Sequence, residues 1–233
     1  MPDSAPNAEL LRSLGKLARG LSALFWGLPA VLIVSVHASR AEWLAAWIMI
    51  PIVTLNALLL YGLWQMGDFQ KQERPWHAAL DRARLLALVN LGLSPFLYWS
   101  NHVPGQSFFS VAVLILGASG LLFLFNLNVV IERLGAMLPD ETLRLETRQF
   151  TAFNRGLLLS LLLLAAVYWG LAELPGLPMT LRLIPLLLER YSTPAMIVLV
   201  VLPLAMTMAL IWKTKEVILE SVFGTGIPPS RPT

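Results

Sequence analysis

Six apolar runs, each close to the length of a bilayer crossing, leave this chain very few folds to choose from. They cover residues 21–36, 43–65, 85–100, 108–131, 157–171 and 194–212, and charged or turn-forming residues bound each one. A helix needs about 20 apolar residues to cross ~30 Å of hydrocarbon. In lipid, every backbone polar group must be satisfied within the segment or a closed barrel. The runs are continuous rather than alternating, so they predict helices. The expected fold is all-α: a polytopic membrane helix bundle of six transmembrane helices. Residues 1–20 form a cytoplasmic amphipathic segment and residues 21–223 the six-helix transmembrane domain. Residues 224–233, rich in proline with nothing to bury, form a disordered cytoplasmic tail.

Only 13% of the residues are charged, against about 25% in a soluble domain. Little chain remains for a separate soluble unit, and one membrane domain is expected. The absence of cysteine excludes disulfides, thiolate catalysis, Cys-ligated zinc and iron–sulfur clusters together.

Orientation follows from the basic residues. Of 17 Lys and Arg residues, all but Arg40, Arg182 and Arg190 fall in the segments on one side of the six runs. Positive residues stay on the cytoplasmic side, so both termini are expected there. The slight basic excess then faces anionic lipid rather than nucleic acid. Aromatic residues agree: Trp43, Tyr98, Trp99, Tyr168, Trp169 and Tyr191 fall at the outer boundary, and Tyr61, Trp64, Trp76 and Trp212 at the inner one. Rings with a polar edge collect at those two depths. Arginine outnumbers lysine, a bias of GC-rich bacterial genomes, and a bacterial cytoplasmic (inner) membrane is the expected location. The basic segment, apolar run and Val36-His37-Ala38 also have the order of a secretory signal. The long segment before the run and the repeat described next favour a retained helix.

The odd-numbered runs resemble one another. Ala18-Arg19-Gly20-Leu21 and Ala83-Arg84-Leu85-Leu86 each lead to a Gly-Leu pair and then a proline, Pro29 or Pro95; Asn154-Arg155-Gly156-Leu157 opens the fifth run in a similar way. At an offset of 70, Asn56 aligns with Asn126 and Tyr98-Trp99 with Tyr168-Trp169. Three helical hairpin repeats are expected, each entering at an arginine. Pro6, Pro75 and Pro139 suit a first helical turn, where the missing N–H has no partner to lose. Helical extensions are therefore expected to run from the cytoplasm into the third and fifth spans, and the last helix is expected to continue to Gly224. Residues 175–194 are apolar but hold Pro178, Pro185 and Pro194 beside Arg182 and Glu189. That stretch is expected to lie in the outer interface.

Four asparagines, Asn56, Asn90, Asn126 and Asn128, fall in the inner half of their runs, with Thr207 at a similar depth. Amides are costly in hydrocarbon, so they are expected to face the bundle interior. They either line a polar cavity open to the cytoplasm or hydrogen-bond between helices, and the second is the commoner use. Glu132-Arg133 marks the inner end of the fourth run, and Glu173 lies near the outer end of the fifth.

Gly117-Ala118-Ser119-Gly120 resembles the Gly-x-Ser-Gly motif of rhomboid intramembrane proteases, which also use six helices, and Asn56 resembles their second-helix asparagine. The resemblance implies Ser119 as nucleophile. Ile52 stands where that family has a histidine, and the sixth run holds no histidine to act as base, so Ser119 has nothing to activate it. Gly117, Ser119 and Gly120 are therefore expected to mark a close helix contact. His37, His77 and His102 do not cluster at metal-ligand spacing, and no phosphate-binding glycine loop is present. No cofactor or metal is expected.

The chain is thus expected to be a non-enzymatic integral membrane subunit that scaffolds or regulates other membrane proteins. Its expected partners are the lipid bilayer and either another membrane protein or a second copy. Six helices, inward termini and an outer segment before the last helix also resemble the membrane subunits of bacterial ABC-2-type exporters. That resemblance implies a permease with residues 67–84 as its coupling element. A membrane enzyme acting on lipid, with the asparagines as head-group site, is the remaining alternative.

Overall fold

The computed structural model describes residues 4–38, 45–70, 72–103, 105–138, 141–173 and 200–220. Trp43, Tyr191, the expected interfacial segment 175–194, residues 221–223 and the expected tail 224–233 lie outside the described residues. Helix α1 covers Ser4–Ala38, α2 Ala45–Gln65, α3 Arg74–Leu93, α4 Pro95–His102, α5 Ser107–Met137 and α6 Glu141–Glu173. A last helix, α7, covers residues 200–220, and no strand occurs among the described residues.

Four of these helices contain segments long and apolar enough to cross a membrane: Leu11–Ala38, Met49–Asp68, Ser107–Met137 and Arg144–Val167. The third apolar run is divided, because the ring of Pro95 cannot donate to Leu91 and crowds its carbonyl. Ser94 repairs the gap by donating its hydroxyl to Leu91 O at 2.8 Å. Ser94 keeps helical dihedrals at φ −57° and ψ −34°, so α3 and α4 follow one another with a break and no loop. Pro29 and Pro51 lie inside α1 and α2. α1 runs without a break through the boundary expected at residue 20.

α1 and α2, α3–α4 and α5, α5 and α6, and α6 and α7 run antiparallel, since along each pair the touching residues rise in number on one helix as they fall on the other, as at Gly20–Gly62 with Gly27–Leu59 and Asn90–Ser119 with Phe96–Phe108. Gly20 of α1 meets Gly62 of α2, Asn90 of α3 meets Ser119 of α5, Gly135 of α5 meets Thr147 of α6, and Glu146 of α6 pairs with Lys213 of α7. This up-and-down winding gathers the basic residues of α1, α3, α6 and α7 at one end of the bundle. Ion pairs Lys16–Asp68 and Glu146–Lys213 cross between helices there. Arg84 donates to Leu63 O at 3.2 Å, placing a cation at the negative end of the α2 dipole. Gly67 lies against that guanidinium, where any Cβ would displace it.

The interior is concentrated in the basic half. Leu17, Leu21, Leu24, Leu63, Leu80, Leu127, Ile131 and Leu134 are fully enclosed in one cluster that also takes in Leu204, Leu210 and Ile218 of α7. On α3 the buried side chains recur at Trp76, Ala79, Leu80, Ala83, Ala87 and Asn90, a stripe of helical period whose alanines let α5 come close. Toward the opposite end a second, small cluster holds Ala38 and Ile52 with Val34, Leu97 and Tyr98. There Asn101 donates to Ala38 O at 2.8 Å and ties α4 to α1. Gly105, at φ +109°, turns the chain from α4 into α5 in a region that side chains with a Cβ rarely enter.

Tyr61, Trp64 and Trp212 are exposed near the basic end, as rings at a lipid interface would be. Trp76 is not a belt residue as expected: it is buried, with its ring edge-on to Phe69 at 6.4 Å between centroids. The reason is its place in the core stripe of α3, one turn before Ala79 and Leu80.

Candidate functional site

Of the three residues expected at a close helix contact, Ser119 is buried and bonds Asn90 of α3, while Gly117 and Gly120 face no neighbour among the described residues. A Cβ at either position would meet nothing within 4 Å, whereas one at Gly20 would stand 2.6 Å from Gly62 O and one at Gly62 3.0 Å from Gly20 O. α1 and α2 thus approach backbone to backbone, with Gly27 taking Leu59 into the same seam. Small residues at a helix–helix interface permit such approach.

The polar positions divide among several places. Asn56 is buried and donates to Ile52 O at 2.9 Å on its own helix; Asn126 does the same to Leu122 O at 2.9 Å. Each amide is thereby held against the backbone four residues back. Asn90 accepts a hydrogen bond from the Ser119 hydroxyl, linking α3 to α5. Ser119 therefore bonds an amide oxygen rather than an imidazole.

Asn128 and Thr207 come together, and with them a third residue, Asn154. Asn128 Nδ2 donates to Leu124 O at 2.8 Å and to Thr207 Oγ1 at 2.9 Å. Asn154 Nδ2 faces Asn128 Oδ1 at 3.0 Å, Thr207 Oγ1 at 2.9 Å and Pro203 O at 3.1 Å, so three acceptors share its two hydrogens. Thr207 donates to Pro203 O at 2.8 Å. All three side chains are fully enclosed. Each helix contributes what its local chemistry allows: α7 a carbonyl and a hydroxyl, α5 and α6 one amide each. The result is a polar joint of α5, α6 and α7.

Around the joint lie charged groups. Glu132, one turn beyond Asn128, forms an ion pair with Arg155 of α6 at 3.6 Å, and the Arg155 guanidinium lies 4.7 Å from the centre of the Phe125 ring. The partner of Glu132 is thus on the facing helix rather than Arg133 beside it. Glu173 ends α6. No group of three His, Asp or Glu side chains suited to a metal occurs among the described residues.

Asn154 enters the sequence pattern only as the opening of the fifth run. Its partnership with Asn128 required knowing that α5 and α6 are antiparallel neighbours, and that turn after Met137 sets 128 level with 154. The signal available in sequence was its spacing from Thr147 and Thr151, all on one helical face.

No protein-family model, curated protein or solved structure matches the chain.

Proposed function

We propose that this chain is an integral membrane subunit without catalytic activity, crossing a bacterial cytoplasmic membrane six times and scaffolding or regulating other membrane proteins. On this reading the three hairpins are α1 with α2, α3–α4 with α5, and α6 with α7. The basic end lies in the cytoplasm, following the positive-inside rule, and the bundle is embedded by the apolar faces of its long helices.

One observation carries the reading: the side chains of Asn56, Asn90, Asn126, Asn128, Asn154 and Thr207 are each engaged with one another, with Ser119 or with their own helices. The Asn128–Asn154–Thr207 joint and the Asn90–Ser119 bond hold helices together, while Asn56 and Asn126 each bond their own backbone. An arrangement of this kind supplies helix registry, which a scaffold needs, before it supplies a substrate site.

The test is purification of the full chain from its native membrane in mild detergent or nanodiscs, with mass spectrometry of everything that elutes with it. The expected result is another membrane protein in fixed stoichiometry. An ATPase in fixed stoichiometry would instead favour the exporter-like permease. Elution alone with a defined lipid or solute would contradict the subunit reading.

A further inference from the structure

A shallow apolar groove runs between α5 and α6 on the outside of the bundle. Its walls are Leu121, Leu122 and Phe125 of α5 and Leu158, Leu159 and Leu162 of α6. It is open rather than enclosed: about 170 Å³ between the walls holds no protein atom, and Leu122 and Leu159 are exposed. Both walls lie within segments long and apolar enough to cross a membrane. The basic end of the groove is chemically different. Phe125 stands there, and the Arg155 guanidinium lies over its ring, 4.7 Å from the centroid. Arg155 comes just before the apolar run of residues 157–171. Arg148 and Arg144 precede it by two and three helical turns, on the same flank of α6, and both are exposed. On α5, Arg133 follows Leu122 by three turns, which returns it to the same flank; it too is exposed. One carboxylate opposes these cations. Glu132 pairs with Arg155 at 3.6 Å, longer than the ~2.7–2.9 Å of a charge-assisted hydrogen bond. The Arg155 side chain is 39% exposed and carries a fork of N–H donors, so this loose contact takes up only part of its capacity.

We propose that the groove and Arg155 form a binding site for one anionic phospholipid, with an acyl chain along the leucines and the phosphate on the guanidinium. Both halves are needed to name the occupant. A free anion would use the arginines and leave the leucines idle. A neutral amphiphile would use the leucines and leave the arginines unmatched. A zwitterionic lipid would bring its ammonium group toward Arg148 and Arg133, where like charges repel. A guanidinium, by contrast, meets a phosphate in two parallel N–H···O bonds. The basic end lies in the cytoplasmic leaflet on the reading above, and that leaflet carries the negative surface charge. The site rests on that reading only for the lipid around the bundle; it requires no particular partner subunit.

The full chain in mild detergent is titrated with phosphatidylglycerol or phosphatidylcholine of identical acyl chains. Native mass spectrometry gives the apparent Kd of the first bound lipid. Phosphatidylglycerol is expected to bind about tenfold more tightly than phosphatidylcholine, or better. Arg155→Gln should weaken its binding about tenfold. Arg82→Gln, at an exposed arginine of α3 that also stands just before an apolar run, should change it less than about twofold. Leu159→Gln, in the exposed wall of the groove, should weaken it about threefold or more. Glu132→Gln removes the opposing carboxylate and should tighten binding about threefold, a gain that a misfolded chain could not give. Equal binding of the two lipids, or equal losses at Arg155 and Arg82, overturns the site, as does weaker binding by Glu132→Gln. No loss at Leu159→Gln would leave a site for a free anion, and a dimer that excludes lipid would put a second copy in the groove; either overturns the assignment. None of these readouts depends on which membrane protein co-purifies, so the site can fail while the subunit reading stands, and the reverse.

Discussion

Asn154 of α6 donates to the side-chain oxygen of Asn128 on α5 at 3.0 Å, and both amides also donate to the same hydroxyl, that of Thr207 on α7. Removing either amide strands groups with no water at hand. Asn154→Ala is expected to lower stability by about 1–2 kcal/mol, and Asn128→Ala by a similar amount. The double variant should lose less than the sum, since the two share one network. Asn126→Ala should change stability by no more than about 0.5 kcal/mol, because among the described residues its amide bonds only Leu122 O of its own helix. Chemical or thermal unfolding in one detergent, with all four variants side by side, gives the comparison.

The seam of α1 and α2 makes an opposite pair of predictions for glycine. Gly20→Ala puts a Cβ 2.6 Å from Gly62 O, a backbone atom that cannot swing aside, so a loss of about 1–3 kcal/mol is expected. Gly117→Ala and Gly120→Ala enter open space and restrict the unfolded chain, so each should be neutral or gain about 0.4–1 kcal/mol. The same unfolding measurement separates the two classes. Equal effects at Gly20 and Gly117 would show that the seam is not closely packed.

At the break between α3 and α4, Ser94 stands in for a backbone donor that Pro95 lacks. Ser94→Ala should cost about 1 kcal/mol in the native chain, since Leu91 O loses its donor. With Pro95→Ala the backbone N–H of residue 95 can reach Leu91 O, so adding Ser94→Ala should then cost close to nothing. A double-mutant cycle measures the difference as a coupling energy. A coupling of zero would mean the hydroxyl is not replacing the missing donor.

The helices are legible because continuous apolar runs of bilayer-crossing length stand directly in the sequence: Ser107–Met137 reads as a candidate span without any tertiary knowledge. The starts of α3 beside Pro75 and of α6 at Glu141 were legible for a similar reason, since proline and an acidic first turn act locally. Pairing was not. Asn128 and Thr207 stand out in the sequence as polar residues inside apolar runs, but their meeting depends on which helix faces which, and Asn154 reads only as the opening of the fifth run. Gly117-Ala118-Ser119-Gly120 drew notice as a compact run of small residues. The close approach is instead at Gly20 and Gly62, which lie far apart in sequence and become neighbours only when α2 returns along α1. Position along the chain fixes the depth of Trp76 but not its rotation about the helix axis, which puts it inside.

The proposed six-crossing arrangement requires each hairpin to return to the side it left. Single cysteines at exposed Glu9, Gln106 and Glu216, probed with an impermeant maleimide in sealed vesicles of both orientations, test this most directly. Glu9→Cys and Glu216→Cys are expected to label only from the cytoplasmic face and Gln106→Cys only from the opposite one. Labelling of Gln106→Cys from the same face as Glu9→Cys, or of Glu9→Cys and Glu216→Cys from opposite faces, would contradict the six-crossing bundle.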